Sequence, residues 1–156
     1  MAQSRDGLNV FLDSHATMAD ANALFIPQQD DIDETAMALA ARACIDGFTA
    51  CFNARDLDGM DAHLHFPHVI LSGEQLVIWE RPGQLPAAFF DNLARDTGWH
   101  HTAYQEKEVV LVSPRKVHLR VVYSRNRADG SIITQHRNVW IVTWQDGRWG
   151  IKQRSY

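Results

Sequence analysis

Cysteine is scarce in this 156-residue chain, with only Cys44 and Cys51 present. Both fall in one helical pattern, where seven residues of helix separate them by roughly 10 Å along the axis. A disulfide needs Cα atoms within about 7 Å of each other. An intrachain bridge is therefore excluded, and both thiols read as core residues. Long apolar runs are missing as well, since none approaches the roughly 20 residues that span a bilayer. The opening "MAQSRDGLNVF" lacks the charged-then-apolar layout of a signal peptide. These absences lead to the expectation of a cytoplasmic protein with no membrane partner. No internal repeat or low-complexity tract occurs.

Acidic residues are scarce in one part only. Residues 113–156 hold 2 Asp/Glu against 9 Lys/Arg, whereas residues 1–112 hold 17 against 6. One reading is self-complementation, with a basic sheet attracting acidic helices within one fold or across a dimer. The other is an anionic ligand or nucleic acid on the basic part. A pI near 6.0 and the lack of an aromatic–glycine binding motif argue against nucleic acid. What is present is ordinary for one soluble globular domain, with 46% hydrophobic and 22% charged residues.

Residues 1–30 carry weak helical signal around "GLNVFLDSHATM", and Pro27 with the acidic cluster after it marks a boundary. They read as an arm or short helix outside a domain of residues 31–156. A helix starts after Asp31 or Asp33, either of which can cap it. Met37, Ala41, Cys44, Phe48 and Cys51 recur at four- and three-residue steps, widened by Ile45 and Phe52, which marks a core-facing helix. Asp56 caps a short second helix, "LDGMDAHL", stopped by Pro67. "LPAAFFDNLARDTG" is a third helix, with proline near its start and Gly98 after its end.

The strands come mostly afterwards. "HVILS" and "LVIWE" flank Gly73 as a hairpin. "WHHTAYQEKEVVLV", "KVHLRVVYS", "SIITQHRNVWIVTW" and "RWGIKQRSY" follow, joined by "SPR", "RADGS" and "QDG". Antiparallel neighbours joined by tight turns give an α+β domain. In residues 136–144, Val139 and Ile141 lie on one face and Trp140, Val142 and Trp144 on the other. A sheet covered by helices on one face does not need both sides apolar. A homodimer through the second face is the expectation.

This order of elements resembles the nuclear transport factor 2-like superfamily, which includes SnoaL-like polyketide cyclases and ketosteroid isomerases. The resemblance runs over roughly residues 33–156 and is carried by "FPHVILSGEQLVIWE" and "VWIVTWQDGRWGIKQRSY". The tail, with Trp149, Ile151 and Arg154 after an aspartate–glycine turn, resembles uncharacterised members. It implies a curved, mostly antiparallel sheet wrapped on three helices, a conical pocket at the open end and dimerisation through the sheet. It implies a fold more than an activity.

The candidate residues centre on "HLHFPH", where His63, His65 and His68 stand within six residues. A zinc site wants further ligands and second-shell carboxylates, and the segment has no Asp or Glu after Asp61, so no metal is assigned. His63 reads as an exposed helix-end imidazole. The resemblance places the strand of His68 at the pocket mouth. His68 is then either a general acid/base or a half-buried histidine bonded to a carbonyl, and His65 is a second candidate. His100 and His101 are adjacent in a strand, so at most one, taken as His101, serves a pocket. His136 and Asn138 share a face with Trp140 and reach either a pocket or a dimer seam. Trp79 and Trp99 are candidate pocket walls, with ordinary packing as the alternative, and Tyr123 is a candidate partner of the histidines. Arg154 has parity opposite to Trp149 and Ile151, which suggests the outer face unless a bulge intervenes. It either clamps a ligand carboxylate or pairs with the acidic helices.

Isomerase-like proton transfer wants an aspartate base with a tyrosine and a protonated aspartate, but the last strands have carboxylates only in turns, Asp129 and Asp146. Two readings follow. One is a pocket protein acting as a cofactor-free acid/base enzyme of isomerase, dehydratase or cyclase type on a small apolar substrate. The other is a noncatalytic dimeric binding or accessory domain.

Overall fold

The structure, a computed structural model, describes residues 32–156; the expected arm at 1–30 lies outside the described residues. Two aspartates set the first helices. Asp33 Oδ1 accepts from the Ala36 amide at 2.9 Å at the start of α1 (Glu34–Asn53). Asp56 Oδ1 accepts from the Gly59 amide at 2.9 Å at the start of α2 (Leu57–Ala62). Each satisfies an amide that a first helical turn leaves without a partner.

Helix α1 buries Ala41, Cys44, Ile45, Phe48 and Thr49. The stripe packs on the sheet, in one cluster with Leu119, Val121, Trp140 and Ile151. Burying each side chain of this size contributes about 1.5–3 kcal/mol, so packing holds the helix more than its intrinsic propensity does. Among the described residues, α1 is the one helix long and apolar enough to cross a membrane by length and composition. Its apolar stripe is taken up by the core.

The remaining elements are β1 (Leu64–Ser72), β2 (Gln75–Trp79), α3 (Phe89–Thr97), β3 (His101–Ser113), β4 (Lys116–Asn126), β5 (Ile132–Gln145) and β6 (Arg148–Ser155). Helix α3 begins later than the pattern from Leu85 suggests, because the Phe89 amide turns back onto the Pro86 carbonyl at 2.9 Å. It ends at Gly98 with φ 77°, a left-handed position that glycine adopts without strain.

The six strands form one curved, mixed sheet in the order β2-β1-β6-β5-β4-β3, and the fold is α+β. Adjacent strands are antiparallel except for β1 and β6, which run parallel. Local turn signals reveal every hairpin but not this junction. After β2 the chain crosses to the far edge through α3, and later strands fill inward until β6 meets β1. Pro67 does not stop a helix. Helix α2 ends at Ala62, and β1 runs from Leu64 through the cis Phe66–Pro67 peptide, its register with β6 shifting between Leu64 and Val69.

One close approach fixes the β1–β6 seam. His65 is fully buried, and its Nε2–H donates to the Thr143 and Arg148 carbonyls at 3.2 and 3.3 Å. A Cβ on Gly150 would lie 2.6 Å from His65 Cδ2 and 2.9 Å from Arg148 Nη1. The imidazole cannot retreat without losing both carbonyls. Gly150→Ala is expected to destabilise the fold by about 1–3 kcal/mol, as an overpacked site does. Urea unfolding checks this, and an unchanged midpoint would contradict the packing described.

Candidate functional site

The three imidazoles of "HLHFPH" diverge. His63 Nδ1–H donates to the Gly59 carbonyl at 2.7 Å, one turn back along α2. Its ring lies against α1 at Gly47, where a Cβ would collide with Nε2. It is half-buried rather than the exposed helix-end group that the sequence suggests. His65 serves the β1–β6 seam. Among the described residues, no three His, Cys, Asp or Glu side chains come together as metal ligands.

His68 is completely buried. Its Nδ1–H donates to the Ile151 carbonyl at 3.0 Å, which leaves Nε2 as an acceptor, and Arg154 Nε–H donates to it at 3.0 Å. Burial first, and then the Arg154 charge, push the imidazole down to about 3. A neutral imidazole thus orients a guanidinium. Arg154 Nη1 also donates to the Tyr156 hydroxyl at 3.3 Å. Its Cζ lies 5.3, 5.4 and 5.7 Å from the ring centres of Phe48, Trp79 and Trp140. Such contacts favour a cation over an aromatic face.

Arg154 faces inward because of a bulge. Trp140 pairs with Arg154 and Ile141 with Gln153, but Val142 pairs with Ile151. Lys152 is therefore the extra residue in β6, and it reverses the parity beyond it. Arg154 then shares a face with Ile151, not the outer face predicted by simple alternation. Nor does it pair with the acidic helices, since no carboxylate among the described residues lies within 4 Å of it.

Arg154 opens onto a narrow, half-open cleft between α1 and the inner sheet face. Phe48, Thr49 and Phe52 come from α1, Thr102 from β3, Tyr123 and Arg125 from β4, and Trp140 from β5, with Tyr156 beyond β6. Asn53 holds the rim in register, exchanging two hydrogen bonds of 2.8 and 2.9 Å with the Thr102 backbone. Behind it, the Tyr104 hydroxyl donates to the Ile45 carbonyl at 2.9 Å and so accepts from Thr49 Oγ1. Burial raises the Tyr104 hydroxyl far above its ordinary range. Burial and the neighbouring Tyr156 do the same to Tyr123. Several buried polar atoms here lack a partner among the described residues, including Arg125 Nε, Trp140 Nε1 and both side-chain polar atoms of Asn138.

Of the residues singled out from sequence, Tyr123 and Arg154 line the cleft. His65 and His68 lie outside the lining, behind carbonyls and Arg154. Trp79 covers Arg154, ring to ring with His68 at 5.5 Å. Trp99 is fully buried beside Phe52 and Phe90, its indole N–H donating to Thr102 Oγ1 at 3.0 Å. It backs the cleft through Phe52 instead of walling it. His101 does not reach the cleft, because Thr102 does and adjacent strand residues face opposite ways. It lies against His100, with ring nitrogens 3.4 Å apart. His136 stacks on Tyr123 at 4.9 Å, bonded to Thr134 Oγ1 at 2.8 Å; burial first and then Arg125 lower its proton affinity. Asn138 is buried on the same face as Trp140. Arg125 was not singled out, although its two-residue step from Tyr123 placed it on the inward face of β4.

This architecture has a counterpart among known families. Residues 33–153 match the family described as NTF2-like protein (DUF6841). The chain belongs to that family. Solved NTF2-like structures show the same fold at low identity. One is an NTF2-like protein of unknown function from Pseudomonas putida KT2440, at 16% identity and TM-score 0.59, covering 78% of this chain and 85% of that one. Another is a ketosteroid isomerase-like protein from Erwinia carotovora atroseptica, at 17% and 0.53, covering 76% and 92%. A third, an NTF-2 like protein of unknown function from Shewanella oneidensis MR-1, gives 15% and 0.52, covering 73% and 93%. No curated protein matches the chain.

In this NTF2-like domain the buried His68 has a consequence for stability. In the unfolded chain it takes a proton below its ordinary value of 6.5, whereas the folded site refuses one until about 3. Stability is therefore full above that window and falls as pH drops through it, by about 1.4 kcal/mol per pH unit for a single group. His68→Gln should flatten the acid slope by that amount, read from urea unfolding at successive pH values. An unchanged slope would contradict the neutral, buried imidazole.

Proposed function

We propose that this domain is a noncatalytic binding module, holding a small organic molecule with an apolar body in the cleft between α1 and the sheet. One observation carries the reading: among the described residues, no carboxylate or imidazole lines the cleft. His68, the strongest acid/base candidate from sequence, has both ring nitrogens occupied and sits behind Arg154. Tyr123 is pushed upward, away from neutrality. An isomerase, dehydratase or cyclase acting without a cofactor needs a positioned group of nearly matched proton affinity at the reacting atom. A binder needs apolar walls and a few fixed polar groups, which Phe48, Phe52 and Trp140 with the polar atoms around them supply. The likeness to a ketosteroid isomerase-like protein supports the fold and not that chemistry.

With 2-naphthamide as a neutral probe, the expected result is saturable quenching of tryptophan fluorescence and recovery of the probe unchanged. Affinity should be flat between about pH 7 and pH 9, since the described lining holds no Asp, Glu or His. Conversion of the probe, or a sigmoidal profile in that window, would overturn the reading.

We further propose a homodimer through the outer sheet face. Val139 is 39% exposed there, beside Ile141 on the same face of β5. Val139→Asp should yield monomer by sedimentation at concentrations where the wild type is dimeric; a monomeric wild type would sink the idea.

A further inference from the structure

Among the described residues, the cleft presents two guanidinium groups and no counter-charge. Arg125 and Arg154 both line it, no Asp or Glu does, and neither arginine has a carboxylate within 4 Å among the described residues. Arg154 is only 6% exposed. Taking a cation out of water costs several kcal/mol unless opposite charge repays it, and the partners present here are neutral: an imidazole, a tyrosine hydroxyl and aromatic faces. Those partners fix the guanidinium plane without neutralising it. Arg125 Nε and the indole nitrogen of Trp140, a residue 3% exposed, are buried with no acceptor among the described residues.

We infer that the ligand is an organic acid whose carboxylate sits between Arg125 and Arg154, with its aromatic or aliphatic body against Phe48, Phe52 and Trp140. The inference rests on the binding reading above and names its ligand class. A carboxylate offers two acceptor oxygens to a guanidinium fork. Hydrogen-bond strength to charge is retained where water is excluded. The apolar walls select an organic anion over an inorganic one, which would leave them against water or a charge they cannot solvate. His68 acts on this site as a positioning residue, because it holds Arg154 Nε and stays neutral, adding no second positive charge next to the ligand.

The test is calorimetric titration of the full chain with 2-naphthoate, 2-naphthamide and inorganic phosphate. Naphthoate should bind at least about tenfold more tightly than the amide, the scale of a hydrogen bond to a charged group, and phosphate should not compete. Arg125→Gln should remove most of that preference, weakening naphthoate binding severalfold more than amide binding. Arg154→Lys keeps the charge but loses the fork, and should reduce the preference less. Equal affinity for acid and amide would overturn the anion assignment and leave the binding module standing. Failure of both to bind would overturn the two together. Tight phosphate binding would overturn the organic-acid class.

Discussion

The site depends on one hydrogen bond between a buried arginine and a buried neutral histidine. Arg154 Nε donates to His68 Nε2, and His68 Nδ1 in turn donates to the Ile151 carbonyl. The two strands involved, β1 and β6, are the parallel pair in an otherwise antiparallel sheet. The bond therefore ties the beginning of the described sheet to its last strand, at the seam where no hairpin does so. It also fixes the tautomer of His68 and removes both of its nitrogens from solution chemistry.

The neighbouring features follow from accommodating that cation. Phe48, Trp79 and Trp140 surround the guanidinium carbon, supplying quadrupole attraction where water cannot reach. Charge elsewhere behaves differently. Arg120 with Glu106 and Glu108, and Lys107 with Asp46, form pairs that remain partly open to solvent, and such pairs contribute at most about 1 kcal/mol each. The basic excess of the last strands is thus divided. Some of it pairs with acidic residues at the surface, and two arginines are kept in the cleft. The solved NTF2-like structures share the fold at 15–17% identity, which leaves the chemistry of the cleft to be argued from these residues.

Strand alternation was a sound guide until a bulge interrupted it. In β4, Val117, Leu119, Val121 and Tyr123 face inward as their spacing requires, all buried. In β6, the extra residue at Lys152 turns Arg154 from the outer face to the inner one. The histidines mislead for a different reason. An imidazole with neutral proton affinity in solution is a natural acid/base candidate, but His65 and His68 meet carbonyls of distant strands, Thr143, Arg148 and Ile151. Those contacts span 78 to 83 residues of chain and leave no local signature.

By itself the sequence determined the helices, the hairpins and the α+β class, because these rest on local physics. Asp33 and Asp56 cap the first turns, a 3–4 apolar spacing makes α1 a core helix, and turn residues separate strands of alternating character. It also determined that few acidic groups stand on the last strands. Only the tertiary structure decided where that charge went. The parallel β1–β6 junction and the Lys152 bulge bring Arg154 under Trp140 and beside His68, while alternation in β3 and packing behind Phe52 leave His101 and Trp99 out of the cleft lining. Register and burial are set by contacts between strands far apart in the chain, and a single inserted residue exchanges one face for the other.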